Sequence, residues 1–477
     1  MRLHYPDWMA TRWGRIIAFF LLYVTEGIPL GFTATAIATQ MRRQGLGPAE
    51  IGLFVGSLYV PWAWKWVAGP FVDTLTSDRL GRRRMWIVGM QLGMVAVLLL
   101  ATPVDFVDNL PYFTTLILIL NSFGAVQDVA IDALATQVLH EDERGLANGF
   151  MFAGASIGQA IGGSAVLYLA AIMPFQNTYF FVAGAILCVT LFVGLGLREP
   201  KRPPRAVGQA GALAGVAAEL GSFVRDSLFA FFRTRGGFFG LVFALLPAGA
   251  YALGLALQAN LAVELGLTDP QVAALNLWST ILFAIFCVGG GWISDRLGRR
   301  TSLGLFLALT AAPTLWLAYV MQGAGWVWPV DPQMPDRPVP SAGLITVFWA
   351  AVLAYNAISG LGYGVRTALF MDVTIPRVAA TQFTAYMAML NFVISYTATW
   401  QGRAIEQWGY PKTLLVDSLI GLVSIALLPL LRKRPTNGEA DGTVLPVGAV
   451  QGAWSSGQRN HPPVSQRTPS AGSKPNQ

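Results

Sequence analysis

Apolar runs of about 20 residues, separated by short polar stretches, dominate the chain. At 1.5 Å rise per residue, such a run crosses ~30 Å of hydrocarbon. The runs fall near 16–38, 50–71, 85–102, 112–136, 149–172 and 178–197. A second set lies near 238–262, 271–293, 301–321, 342–371, 381–403 and 411–431. The pattern predicts an all-α membrane protein of 12 transmembrane helices in two six-helix bundles, 1–197 and 238–431. A connector, 198–237, opens on Arg198-Glu199-Pro200 and carries an amphipathic helix at 213–233, with Phe223, Leu228, Phe231 and Phe232 on its apolar face. The tail, 432–477, is rich in Pro, Gly, Ser and Gln, and is expected to be disordered and cytoplasmic. Arg12, Arg15 and Ala36-Ile37-Ala38 also allow a cleaved signal peptide, but Glu26 and Pro29 in mid-run argue against one.

The polar pattern repeats. Gly69-Pro70-Phe71-Val72-Asp73, then Asp78-Arg79-Leu80-Gly81-Arg82-Arg83-Arg84, follows the second run of the first set. Gly291-Trp292-Ile293-Ser294-Asp295-Arg296-Leu297-Gly298-Arg299-Arg300 follows the second run of the other. A loop repeated at equivalent places points to two related bundles in tandem, as many secondary transporters are built. If the spans alternate, these loops, the connector and Arg432-Lys433-Arg434 share one side, and the opposite loops carry few cations, such as Arg42 and Arg43. The excess of positive charge predicts that both termini are cytoplasmic.

Composition narrows the function. Hydrophobic residues make up 54% and charged residues 12%, too little polarity to cover a water-soluble surface. The net charge of +7 is confined to loops, which argues against a nucleic-acid partner. Cys188 and Cys287 lie inside apolar runs, and His4, His140 and His461 lie outside them. That arrangement predicts no metal, no disulfide and no His-based intramembrane enzyme. No phosphate-cradling Gly-x-x-x-x-Gly-Lys-Ser/Thr loop occurs, so no nucleotide cofactor is expected and an ion or substrate gradient must drive any transport. A transport-dead sensor would need a signalling domain that the biased tail does not offer.

Ionisable residues inside the runs are the functional candidates, because each costs roughly 2.5–3.5 kcal/mol at mid-bilayer. Asp128 and Asp132, four apart, share one helix face, and two carboxylates in a dry cavity do not both ionise cheaply. They could carry a proton, or be neutralised by Lys65 or Arg366. Lys65 could instead snorkel or bind an anionic substrate group. Glu26 precedes Gly27-Ile28-Pro29, whose Gly and Pro loosen a helix beside a carboxylate. Arg366, Asp372 and Asn356 lie on the tenth run, and Gln127 on the fourth. Laying Gly149-Phe150 over Phe383-Thr384 puts Asp132 over Arg366, which predicts an acid and a base paired across one cavity. Gln159, Gln258, Asn260, Asn391 and Gln401 are further polar positions, each as readily an interhelical hydrogen bond. The Gly154-xxx-Gly158-xxx-Gly162 stripe suits close helix packing.

The Gly-x-x-x-Asp-Arg-x-Gly-Arg-Arg pattern resembles the signature loop of the major facilitator superfamily. Within it, Glu26-Gly27-Ile28-Pro29-Leu30-Gly31, Pro61 to Asp73, Gly81 to Trp86, and Gln127-Asp128-Val129-Ala130-Ile131-Asp132-Ala133 are similar to AmpG-type muropeptide permeases, grouped with acetyl-CoA and siderophore permeases. One departure is the connector, which lacks the two extra spans of some muropeptide permeases. The resemblance implies a monomeric carrier of the bacterial inner membrane, in contact with lipid, that couples protons to uptake of an amphiphilic small-molecule substrate. It also implies that Gly69, Asp73, Asp78, Arg79, Gly81, Arg82 and Arg83, with Gly291, Asp295, Arg296, Gly298, Arg299 and Arg300, gate the cytoplasmic face. The arginines could also bind anionic lipid or simply set topology.

Overall fold

The computed structural model describes residues 7–75, 77, 80–199, 212–233, 235–374 and 379–431. The predicted tail and the motif residues Asp78 and Arg79 lie outside this set. Among the described residues the chain is helical, without strands. Nine helices among these residues are long and apolar enough to cross a membrane. The longest in the first half are α1 (Arg12–Arg43) and, further on, α6 (Leu110–Val138).

Between them stand three short helices, α2 (Pro48–Leu58), α3 (Val60–Trp64) and α4 (Ala68–Thr74), and then α5 (Arg82–Ala101). After α6 come α7 (Glu141–Ala160, continued by a wide turn to Ala170) and α8 (Asn177–Phe192). The connector contributes α9 (Ala212–Arg233). The second half holds α10 (Arg235–Ala244), α11 (Ala256–Glu264), α12 (Asp269–Leu297) and α13 (Arg299–Gly323). It closes with α14 (Ala342–Val373), α15 (Ala379–Trp408) and α16 (Tyr410–Val423).

Three of the expected spans differ from a continuous apolar helix. The second is interrupted by a tight turn at Lys65–Val67. The seventh is broken between Ala244 and Ala256. The eleventh, α15, is continuous but is studded with Gln382, Asn391, Gln401, Arg403 and Glu406. The expected loosening near Gly27 and Pro29 appears one turn later, as a wide turn over Phe32–Ile37, because the proline cannot donate and the next turn absorbs the mismatch.

Glycines set which helices touch. A Cβ on Gly154, Gly158 or Gly162 would sit 2.3, 2.3 or 2.0 Å from a carbonyl oxygen of α1, so α7 lies backbone-on-backbone against α1. The halves meet the same way: Gly52 and Gly56 of α2 face Ala398 and Ser395 of α15, and Gly402 faces Pro48. The two signature loops share one backbone conformation, with φ +88° at Gly81 and +87° at Gly298. A side chain is strained there, and a new helix begins at the next residue in both copies.

The connector helix does not lie only along a membrane face. Phe223 stacks on Trp66 of the first half at 4.9 Å, and Phe231 packs on Tyr386 of the second at 5.3 Å. Leu228 and Phe232 are exposed. The helix is therefore a strap between the two halves.

Candidate functional site

Five polar side chains of the first half converge. Tyr23 and Glu26 lie one turn apart on α1, and Asp128 and Asp132 one turn apart on α6. Lys65 arrives from the break after α3. Its ammonium donates to Asp128 Oδ2 at 2.5 Å. The Tyr23 hydroxyl donates a short hydrogen bond to Asp132 Oδ1. Glu26 faces the same group, and its Oε2 is buried with no hydrogen-bond partner among the described residues. Three carboxyl groups thus share one ammonium. Excess buried charge costs several kcal/mol per ion unless it is paired, so the cluster calls for a proton or a cation.

The second half builds a cavity of about 220 Å³, lined by Tyr251, Phe283, Tyr355, Asn356, Ser359, Tyr363 and Arg366, with Tyr59 from the first half. The break before α11 creates it. Asp417 of α16 holds that break by accepting the backbone N–H groups of Tyr251 (2.8 Å) and Ala252 (3.0 Å), and Gln401 donates to its other oxygen at 2.7 Å. Gly249 adopts φ +81°, and the Thr310 hydroxyl accepts from the next N–H, that of Ala250, at 2.9 Å. Tyr251 is thereby placed to accept from Arg366 Nη1 at 2.9 Å.

The halves are related in chemistry. Tyr23 holds an acid, Asp132, and Tyr251 holds a base, Arg366. The expected contact between Asp132 and Arg366 is not made: each is tied to a tyrosine of its own half. Asp128 pairs with Lys65, one of the two neutralising partners considered for the pair.

Other predicted positions fall elsewhere. Gln127 donates to Thr25 Oγ1 at 2.9 Å, beside Gln91, and so belongs to helix packing. Asn356 donates to its own helix at Val352 while lining the cavity. Asn391 likewise donates to Met387. Asp372 joins the loops instead of the cavity, accepting from Arg299 Nη1 at 2.6 Å. Arg296 lies over the Trp292 ring at 3.9 Å. Arg83 Nη1 donates to the Val72 carbonyl at 2.6 Å, and Glu199 accepts the backbone N–H groups of Arg83 and Arg84. Gly69 lies in α4 and Gly291 in α12. Arg82 and Arg300 stand in the first turns of α5 and α13. The side chains of Asp73 and Asp295 lie outside what is described.

At the opposite face the structure shows a cluster that sequence reasoning missed. Arg42 donates to Glu264 Oε1 at 2.7 Å and to the Val330 carbonyl at 2.6 Å, with side-chain exposures of 3% and 0% for the pair. Tyr410 also donates to Glu264, at 2.6 Å. Arg43 pairs with Asp269 at 2.5 Å, and Gln40 with the same carboxylate at 3.0 Å. Asp417 is an acid inside an apolar run, so the cost argument that singled out Glu26 also reaches it, whereas Glu264 falls just past the run at 238–262. Tyr23 and Tyr251 carry no comparable signal.

Comparisons with known proteins agree with this architecture. The chain is 25% identical over 455 residues to the anhydromuropeptide permease of Escherichia coli K12, covering 92% of this chain and 85% of that protein. It is 21% identical over 438 residues to a putative AmpG transporter of Rickettsia felis, covering 88% and 97%. Among solved structures, the inward-open xylose transporter of E. coli superposes with a TM-score of 0.62 at 13% identity, over 90% of this chain and 98% of that one. The nucleoside transporter NupG gives 0.60 at 13% identity, over 89% and 99%. A profile of the Major Facilitator Superfamily matches residues 16–393. The chain belongs to the Major Facilitator Superfamily, as a membrane-embedded secondary transporter.

Proposed function

We propose that the protein imports a muropeptide-like, amphiphilic solute across the bacterial inner membrane, coupled to protons, by alternating access. The observation that carries this reading is the meeting of Glu26, Asp128 and Asp132 around the single ammonium of Lys65 and the Tyr23 hydroxyl. A proton on the spare carboxyls makes the cluster tolerable in a dry site, and its release follows access to water on the other side. The arginine-rich loops on one side support a cytoplasmic location for both termini. In this reading the face joined by Arg42 and Glu264 is the outer one, which favours an inward-facing state. Similarity to the E. coli permease over most of the chain supports a muropeptide as substrate. A siderophore permease is the alternative within the same fold. Acetyl-CoA fits less well, because a polyphosphate anion would meet three carboxyls and few cations.

The test is uptake of a labelled muropeptide into proteoliposomes with an imposed pH gradient. Accumulation that collapses with a protonophore supports the reading. Uptake indifferent to pH and protonophore removes the proton role of the acid cluster.

A further inference from the structure

We infer that Arg366, with the Tyr251 hydroxyl, is the subsite for a single carboxylate of the transported solute. This rests on the carrier reading above and deepens it. Arg366 is 9% exposed and lines the second-half cavity. A guanidinium carries five N–H donors in a rigid fork. Among the described residues, Nη1 donates to Tyr251, Nε has no acceptor, and no carboxylate lies within ion-pair distance. A buried cation without a counter-ion costs several kcal/mol, so its retention at this position calls for an anion that arrives from outside the chain.

The surroundings define that anion. Tyr251 accepts from Arg366, which leaves its own hydroxyl proton free to donate to the same ligand. Tyr355 donates to the Ala250 carbonyl and presents no spare proton. One guanidinium and one hydroxyl match a monoanion. A phosphate dianion would need a second cation, and Lys65 is already engaged by Asp128. A carboxylate takes the bidentate geometry of the fork. About 220 Å³ is less than the 300–1,000 Å³ usual for a whole drug-sized ligand, so the cavity takes one end of the solute. The Phe283 and Tyr363 rings beside it offer an apolar wall to the group that bears the carboxylate. The work is thus divided: the first half takes protons, and the second half takes the substrate anion.

The experiment compares matched acid and amide probes for stabilisation of the purified full-length protein against heat. One pair is the N-acetylglucosaminyl-anhydro-N-acetylmuramic acid disaccharide and its lactyl amide. The other, independent of any muropeptide, is phenylacetate and phenylacetamide, with phenyl phosphate beside them. The expected result is a midpoint concentration at least ~10-fold lower for the acid, about 1.4 kcal/mol. That preference should vanish in Arg366→Gln and return in part in Arg366→Lys, with phenyl phosphate weaker than phenylacetate. Arg366→Lys also shows that the site tolerates substitution. An acid preference that survives in Arg366→Gln overturns the inference, as does wild-type protein that fails to distinguish acid from amide in both pairs. Tighter binding of phenyl phosphate overturns the choice of a carboxylate. If only the disaccharide pair is silent, the muropeptide reading falls and the anion subsite stands.

Discussion

The two faces of the molecule use their charges differently. At the Arg42 face, ion pairs join the halves: Arg42 of α1 to Glu264 of α11, and Arg43 to Asp269 of α12. At the signature-loop face, the described pairs stay within a half: Arg15 with Glu143, and Arg299 with Asp372. Glycine contacts follow the same division, since Gly52, Gly56 and Gly402 bring α2 against α15 toward the Arg42 face. The contrast shows how such a fold can rock. Among the described residues, ion pairs join the halves at one face, while at the other they stay within a half and the connector strap touches both. In the alternating-access reading, opening the Arg42 face exposes the Arg42–Glu264 pair to water, where each ion regains hydration that offsets the loss of the pair.

The largest expected effect breaks the pair. Arg42→Ala leaves Glu264 buried and unpaired, at a cost of about 3–5 kcal/mol to the sealed state. Labelling of Tyr59→Cys by an impermeant maleimide from the Arg42 side, in a background lacking Cys188 and Cys287, should rise by at least ~10-fold. The swap Arg42→Glu with Glu264→Arg should recover part of the seal, and unchanged labelling in Arg42→Ala would refute the contrast. Next comes the inner cluster, which belongs to one half alone. Lys65→Met should reduce proton-driven uptake by roughly 100-fold, and adding Asp128→Asn should cost little more, because the two act as one unit. By contrast, the melting-temperature changes in Asp132→Asn and Arg366→Gln, whatever their sign, should add, since these residues share no partner; a coupling above ~0.5 kcal/mol would contradict the structure.

Smaller effects are expected where a pair is open to water. Arg299→Ala removes a partly exposed bond to Asp372, and should change stability by at most ~1 kcal/mol in a thermal melt. Arg15 holds the Glu143 carboxyl below the usual carboxylate range through two hydrogen bonds. The stability it lends is therefore complete above the ordinary carboxylate value and is lost as pH falls through the lowered one. The melting-temperature gap between wild type and Glu143→Gln should shrink as the medium is acidified; a gap constant with pH would exclude this linkage.

Hydrophobic periodicity and the repeated Asp-Arg-Leu-Gly-Arg-Arg loop were enough to read the family, because span length and loop charge are local properties of the chain. The cost of burying charge pointed to Glu26, Lys65, Asp128, Asp132 and Arg366; the first four meet in one cluster, and Arg366 lines the second-half cavity. Their partners were not legible. Tyr23 and Tyr251 read as ordinary aromatic residues, yet each takes the place that the Asp132–Arg366 pair was expected to fill. Asp372 looked like a cavity acid, but at the end of α14 it lies beside the loop arginine. The breaks at Lys65 and at 245–255 were also missed, since apolar composition continues through both while the backbone does not.

The sequence by itself determined that this is a two-part helical membrane protein, which side of it is basic, and which residues are costly to bury. Tertiary structure alone decided who neutralises whom and which face is sealed. The reason is physical. Span formation depends on neighbours along the chain, whereas Arg42 meets Glu264 across 222 positions and Asp417 meets the Tyr251 N–H across 166. Such pairings exist only once the bundles have packed.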